Sequence, residues 1–486
     1  MRIAAEKRVK SGPINSIILI YETTKQYVPK RLFSLILIAL TLTLALPVWA
    51  ATDHTDFIQG PFASGPEVTE KCLECHEQAA VDVMQTTHWS WSAHQSINGK
   101  MVDRGKKNAI NNFCVSINGN WSRCTSCHVG YGWKDAGFDF TDKSLVDCLV
   151  CHDTTGTYTK TPAGAGLPDP SLDLLHIARN VGTPSRENCG SCHFFGGGGD
   201  AVKHGDLDSS MNYPEKSIDV HMGVDGLNFT CQNCHETDKH FIRGNAMVVS
   251  PTSQSHIGCI NCHEEAPHAE SLINHHMARV ACQTCHIPAF AKEVPTKTSW
   301  DWSTAGQDIK GEKDSYGKPT YMKTKGHFTW GMNIVPTYAW YNGEAGAYLP
   351  GDKIDPATVT RLSYPLGTIA GKDAKIYPFK VHTGKQIYDK QHSYLITPKV
   401  IGEDGYWNTF DWDQSARLGM EITGLPYSGD YGFAETSMYW RINHMVAPKE
   451  QALACLDCHG DNGRFDWKAL GYPEDPLGSR IGDRMP

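Results

Sequence analysis

The longest uncharged, mostly apolar stretch of the chain runs from Leu32 to Leu46, directly after a basic segment ending in Lys30-Arg31. Pro47-Val48-Trp49-Ala50-Ala51 follows, with small residues at Val48 and Ala50. A basic head, an apolar centre and that small-residue exit form a secretory signal cleaved after Ala50. The apolar run falls short of the roughly 20 residues that span a bilayer comfortably, so cleavage is expected rather than anchoring. The first 28 or so residues add nothing to such a signal, and an upstream extension of the true start is the reading. No second apolar run is long enough to cross a membrane, so the expected product is exported, periplasmic and soluble. Beyond the signal the patterns are short. Arg279-Val-Ala-Cys282 and Gln451-Ala-Leu-Ala-Cys455 lack breakers and predict short helices. Gly196 to Gly199 predicts a loop allowing close backbone approach. From 296 to about 435, Trp300-Asp301-Trp302, Thr329-Trp330-Gly331, Tyr338-Ala-Trp-Tyr341 and Asp404-Gly-Tyr-Trp407 predict short strands and turns.

Charge narrows the partners. The chain carries 45 Lys and Arg against 53 Asp and Glu. Residues 1–50 hold seven of the basic and two of the acidic side chains, so the mature chain has 38 and 51, a net charge of −13. That argues against nucleic-acid binding. It suits a small redox partner with a basic face.

Seventeen cysteines in an exported protein suggest disulfides, but their spacing does not. Sixteen fall into eight segments, each followed by histidine: Cys72-Leu-Glu-Cys75-His76, Cys124-Thr-Ser-Cys127-His128, Cys148-Leu-Val-Cys151-His152, Cys189-Gly-Ser-Cys192-His193, Cys231-Gln-Asn-Cys234-His235, Cys259-Ile-Asn-Cys262-His263, Cys282-Gln-Thr-Cys285-His286 and Cys455-Leu-Asp-Cys458-His459. Zinc ribbons and redox dithiols use Cys-x-x-Cys without needing the histidine. Covalent haem attachment needs it: the thiols form thioethers and the imidazole ligates the iron. Eight covalently bound haem c groups are therefore predicted. The intervals between motifs are irregular, which excludes a solenoid. So dense a set of haems makes the porphyrins much of the core, within a multihaem cytochrome fold of mainly short α-helices and loops around packed haems. Four segments follow: the signal over 1–50, haems 1–7 over 51–295, a haem-free aromatic and partly β cover over 296–435, and haem 8 over 436–486.

Eight of the 23 histidines are proximal, leaving fifteen as second axial ligands. An electron-transfer haem takes a second ligand, whereas a haem that does chemistry keeps a position that can open. The expected distal ligands are His88, His204, His221, His240, His268, His276 and His444, with His176, His256 and His392 as rivals. Cys114 stands outside the motifs, as either a small buried hydrophobe or a functional thiol. An electron wire and a multi-electron reductase both remain open on the residues alone.

Longer strings carry a resemblance. Gly60-Pro-Phe-Ala-Ser-Gly-Pro66, Gly105-Lys-Lys-Asn-Ala-Ile-Asn-Asn-Phe-Cys114, Cys189 through Gly205, Asp219 through Phe229, Ala281-Cys-Gln-Thr-Cys-His-Ile-Pro288 and Thr298-Ser-Trp-Asp-Trp-Ser-Thr-Ala-Gly306 resemble the octahaem tetrathionate reductase family over most of the mature chain. The resemblance implies a catalytic haem on the second motif, with lysine as its distal ligand, matching Lys203. Asp200 and Cys114 would lie beside the same pocket. All eight motifs end in histidine, unlike the Cys-x-x-Cys-Lys of octahaem nitrite reductases. The implied activity is reduction of a small inorganic substrate: tetrathionate, nitrite or hydroxylamine. A redox donor protein or quinol-linked cytochrome would supply electrons. The alternative is a non-catalytic electron-transfer octahaem cytochrome of an anaerobic respiratory chain.

Overall fold

The computed structural model describes residues 53–247 and 256–478; the expected signal segment lies outside them. From Gly65 to His286 the chain is loops and short helices, the two longest being Gly65–Leu73 and Arg186–His193. Two small hairpins interrupt it, β1 (Ala93–Ile97) with β2 (Lys100–Arg104), and β3 (Thr237–Asp238) with β4 (Phe241–Ile242). No helix among the described residues is long and apolar enough to cross a membrane.

The later part forms one nine-stranded sheet from β5 (Thr296–Asp301), β6 (Tyr321–Met322), β7 (Gly326–Gly331), β8 (Thr337–Tyr341), β9 (Ala345–Ala347), β10 (Thr360–Pro365), β11 (Lys375–Asp389), β12 (Tyr394–Leu395) and β13 (Tyr431–Arg441). The order is β6-β7-β5-β11-β13-β10-β9, with β8 and β12 paired to β11 outside that path. Short helices and loops beside a partly β segment match the fold class read from the sequence. The strands are not all short, however. β11 has 15 residues and β13 has 11, because the two pair antiparallel from Phe379–Arg441 to Asp389–Tyr431. β-Branched and aromatic residues such as Ile376, Tyr377, Val381 and Ile387 suit that pleated surface. Its aromatic core includes Trp300 stacked on Trp302 at 4.4 Å and Tyr406 stacked on Trp412 at 3.8 Å. The sheet carries Lys297 on β5, Lys380 on β11 and Trp440 on β13, each used below.

Both expected helices begin later than the sequence suggested. Arg279–Ala281 stays outside its helix, because the Ala281 N–H donates to the Ile376 carbonyl at 3.0 Å; the helix is Cys282–His286. Likewise, the Ala454 N–H donates to the Asp457 carboxylate at 2.8 Å, and the helix is Cys455–Cys458. The glycine run turns the chain at Gly197 and Gly198, both at positive φ (82° and 89°). A Cβ on Gly196 would stand 2.9 Å from Cδ of Lys203, so the run is also a close approach.

Candidate haem attachment and redox site

The motifs sit on single helical turns, where a three-residue spacing brings both thiols and the next imidazole to one side. A local device recurs in three of them. Asn233, Asn261 and Asp457, each between two motif cysteines, accept the N–H of the residue before the first cysteine, at 2.7, 2.8 and 2.8 Å. That contact closes the start of the turn as a capping box does.

Seven motif histidines face a histidine from elsewhere in the chain. The ring centroids stand 6.4 Å apart for His76 and His54, 6.3 Å for His152 and His240, 6.2 Å for His193 and His88, and 6.3 Å for His235 and His444. They stand 6.1 Å apart for His263 and His221, 5.9 Å for His286 and His268, and 6.4 Å for His459 and His276. Two imidazoles on opposite sides of one metal, each bonded at about 2.0 Å with roughly 1.1 Å from nitrogen to ring centre, would stand about 6 Å apart. The spacing therefore fits an iron held between each pair. Outer partners hold several rings by Nδ1, leaving Nε2 for the metal. His152 and His235 use the carbonyls of Gly182 and Arg243 at 2.8 and 2.9 Å; His444 and His459 use the carboxylates of Asp206 and Asp475 at 3.1 and 2.6 Å.

His128 is the exception. No second histidine is stacked against it among the described residues; its ring neighbours are Trp89, Trp91, Trp133, Phe138 and Phe140. It is fully buried, and its Nε2 lies 2.7 Å from the Trp89 carbonyl. Behind it, Lys160 donates to the His128 carbonyl at 2.6 Å and pairs with Asp147 at 2.8 Å. Tyr131 and Tyr158 each donate to Asp147 at 2.9 Å, so that buried carboxylate is fully engaged.

Neighbouring thiols outline how the motifs connect. Cys72 contacts Cys148, Cys127 contacts Cys192, Cys189 contacts Cys231 and Cys259 contacts Cys282. Cys151 and Cys189, Cys234 and Cys262, and Cys285 and Cys458 are also close enough to feel one another. The fourth motif thus touches the second, third and fifth.

A solved octahaem cytochrome c from Shewanella oneidensis superimposes with a TM-score of 0.85 at 60% sequence identity, covering 88% of this chain and 99% of that one. The chain belongs to the octahaem cytochromes c. A family model described as bacterial cytochrome c matches residues 297–462 of this octahaem cytochrome. An uncharacterised protein from Archaeoglobus fulgidus is 25% identical over 238 residues, 39% of this chain and 79% of that protein. As a member of this family, the protein binds haem c covalently, and the paired histidines fit that group.

The cytochrome places its other expected site residues unequally. Lys203 lies near the thiols of Cys127 and Cys192, its Nζ 5.2 Å from the Trp440 ring. Burial, then the nearby Lys106, push its pKa down to about 8. Cys114 lies within the field of Cys124, and its carbonyl accepts Trp302 Nε1 at 3.2 Å. Asp200 turns to Ser209 instead of Lys203, accepting its N–H at 3.0 Å and its hydroxyl at 2.5 Å. Among the expected distal ligands, His204 faces no motif histidine; its ring lies 5.3 Å from Trp440. His54, which the sequence reading passed over, stands opposite His76 instead. Of the rivals, His392 stacks on Tyr394, the His176 carbonyl accepts the Asn180 side-chain amide at 2.8 Å, and His256 lies beside Gly343.

Sequence reading also missed the clamp on the Lys203 loop. Lys380, 1% exposed, donates to the carbonyls of Val202 and Lys203 at 3.0 and 3.1 Å and to Thr296 Oγ1 at 2.6 Å. The Thr296 hydroxyl is shared by the carbonyls of Ala201 and His204 at 2.6 and 3.1 Å. Four successive carbonyls are thus captured by two side chains of the sheet. Their only sequence signal is a polar residue within a buried strand pattern.

Proposed function

We propose that this is an exported octahaem reductase whose catalytic haem is on Cys124, Cys127 and His128, with Lys203 as its displaceable distal ligand. The supporting observation is the isolation of His128: seven motif histidines face a second imidazole, and among the described residues this one does not; to hold iron, its ring would have to release the Trp89 carbonyl that its Nε2 meets at 2.7 Å. Eight haems are proposed, one per motif, with His54, His88, His221, His240, His268, His276 and His444 as the seven distal histidines. Bound haem supplies electron transfer to the substrate. Lys203, held by the clamped loop, would hold that haem as its neutral amine; once released, the amine would take up a proton from solvent and could pass it to the product. Lys160 and Asp147 fix the backbone of His128 from behind. Cys114 lines the pocket. Electrons from a donor protein or quinol-linked cytochrome reach the second motif through the fourth, its thiol neighbour.

The reaction class is reduction of a small inorganic molecule. Tetrathionate takes two electrons across its central S–S bond and leaves as two thiosulfates, with no proton consumed. Hydroxylamine takes two electrons and two protons to give ammonia and water, so it needs a donor such as Lys203. Nitrite is the third candidate. The test is turnover of the purified holoprotein by reduced viologen with tetrathionate, nitrite and hydroxylamine offered separately. Oxidation of viologen with at least one is expected. No turnover with any would leave a conduit passing electrons between proteins.

A further inference from the structure

Most lysines of this chain that approach a carboxylate pair with it, as Lys160 does with Asp147, Lys323 with Asp308, Lys390 with Asp430 and Lys399 with Asp404. Beside Cys114 the pattern fails. Lys297 is 5% exposed, yet among the described residues it has no ion pair or hydrogen bond for its Nζ. It lies only against aromatic faces, 3.8 Å from the Trp300 ring centre, 4.4 Å from Phe328 and 5.4 Å from Trp330. Lys325 is next to it, 5.2 Å from the Trp407 ring, and Arg123 lies 5.6 Å from the same ring. The fields on Lys297 come from Cys114 and Lys325; those on Lys325 come from Cys114 and Arg123. No carboxylate contributes to either.

Three basic side chains therefore converge in a chain with more acidic than basic side chains. Burying an ammonium without a counter-charge is unfavourable, and an aromatic face offsets only part of that penalty. Burial relieves part of that penalty by lowering the Lys297 pKa to about 7, and a bound anion would favour the charged form. The position fits as well: Arg123 immediately precedes Cys124, and Cys114 lies close enough to Cys124 and to both lysines to act on them electrostatically. The indole planes of Trp300, Trp330 and Trp407 give the site walls without acceptors that would compete for the cations.

We infer that Lys297, Lys325 and Arg123 form an anion-binding subsite at the approach to the second motif, with Cys114 on its wall, and that it takes a small inorganic oxyanion. This rests on the reading that chemistry occurs at the second motif. Hydroxylamine is uncharged near neutral pH and gains nothing from the subsite. An oxyanion gains most of its ground-state binding there, so the cations act on KM more than on kcat.

The test uses intact holoprotein carrying Lys325→Gln, Arg123→Gln or Lys325→Arg, with haem content and visible spectrum checked against wild type. Arg123 is exposed and Lys325 half-buried, so their variants keep the experiment open if Lys297→Gln fails to fold. In Lys325→Gln, KM for nitrite is expected to rise about tenfold, that for hydroxylamine to stay within about twofold, and Lys325→Arg to restore most of the nitrite affinity. Unchanged nitrite KM in both glutamine variants, or an equal rise for hydroxylamine, overturns the subsite. Calorimetric titration of the oxidised protein with tetrathionate separates this inference from the catalytic one. Binding weakened about tenfold by Lys325→Gln supports the subsite even if no substrate turns over, and equal binding by wild type and variant rejects it even if turnover is found.

Discussion

Lys380→Met tests whether the sheet sets the catalytic loop. The substitution keeps a long unbranched side chain in a site where Lys380 is 1% exposed, but removes its donations to Val202, Lys203 and Thr296. A hydrogen bond involving a charged group contributes roughly 1.5–3 kcal/mol. Against this, the Lys380 ammonium has no carboxylate partner among the described residues, and burying such a charge costs several kcal/mol. Burial accordingly holds its pKa well below the usual lysine value. The opposing effects are similar in size, so global stability is expected to change by no more than about 2 kcal/mol. The local effect is not offset. Two buried carbonyls lose their donor, at about 1–3 kcal/mol each unless they move. Ala201 is already at φ 57°, a conformation that needs support from its surroundings. A loop shift on the order of 1 Å would misplace Lys203 and lower turnover about 100-fold. The assay is kcat with reduced viologen, alongside the near-infrared and electron paramagnetic resonance signals of the second haem. Wild-type turnover together with an unchanged signal from that haem would refute the clamp.

His54→Met is expected to change the low-spin signal of one haem, while His204→Leu leaves every low-spin signal in place; resonance spectra of the two oxidised variants check this. Asp147→Asn is expected to loosen the backbone behind His128 and destabilise the protein by about 3 kcal/mol, because Lys160 loses its buried counter-charge; denaturant unfolding of holoprotein measures it. For Lys297, burial lowers the folded-state pKa to about 7, below that of the unfolded chain. Between about pH 7 and 10.5 the unfolded state holds the extra proton, so this residue's contribution to stability rises with pH across that window. Wild type should therefore gain on Lys297→Met between pH 7 and 10 in denaturation midpoints, and a loss over that range would reject the assignment.

The candidate attachment sites were legible in the sequence because two thioethers and a proximal ligand fit within five consecutive residues. Distal partners were harder to read. His221 and His240 face His263 and His152 across 42 and 88 residues, and His444 meets His235 across 209, so only the fold brings each pair together. His54 escaped notice because it lies just past the expected signal cleavage site. His204 was expected as a distal ligand, yet it faces no motif histidine and packs on Trp440 beside Lys203. Asp200 was expected to serve Lys203; its local bonds to Ser209, nine residues later, claim both carboxylate oxygens. In the aromatic segment, composition revealed strands but not their lengths. Those depend on the eleven-residue register of β11 with β13, set by partners far apart in sequence. Lys297 and Lys380 were invisible as site residues because a strand pattern gives no sign that a lysine faces inward.

The central claim is that the haem on Cys124, Cys127 and His128 has Lys203, rather than a histidine, as its distal ligand. The direct measurement is the electron paramagnetic resonance and near-infrared magnetic circular dichroism of oxidised Lys203→Ala, at full haem content, beside wild type. The expected result is the loss of one amine–imidazole low-spin component and the appearance of one high-spin haem, with the other seven unchanged. A spectrum identical to wild type would contradict the claim.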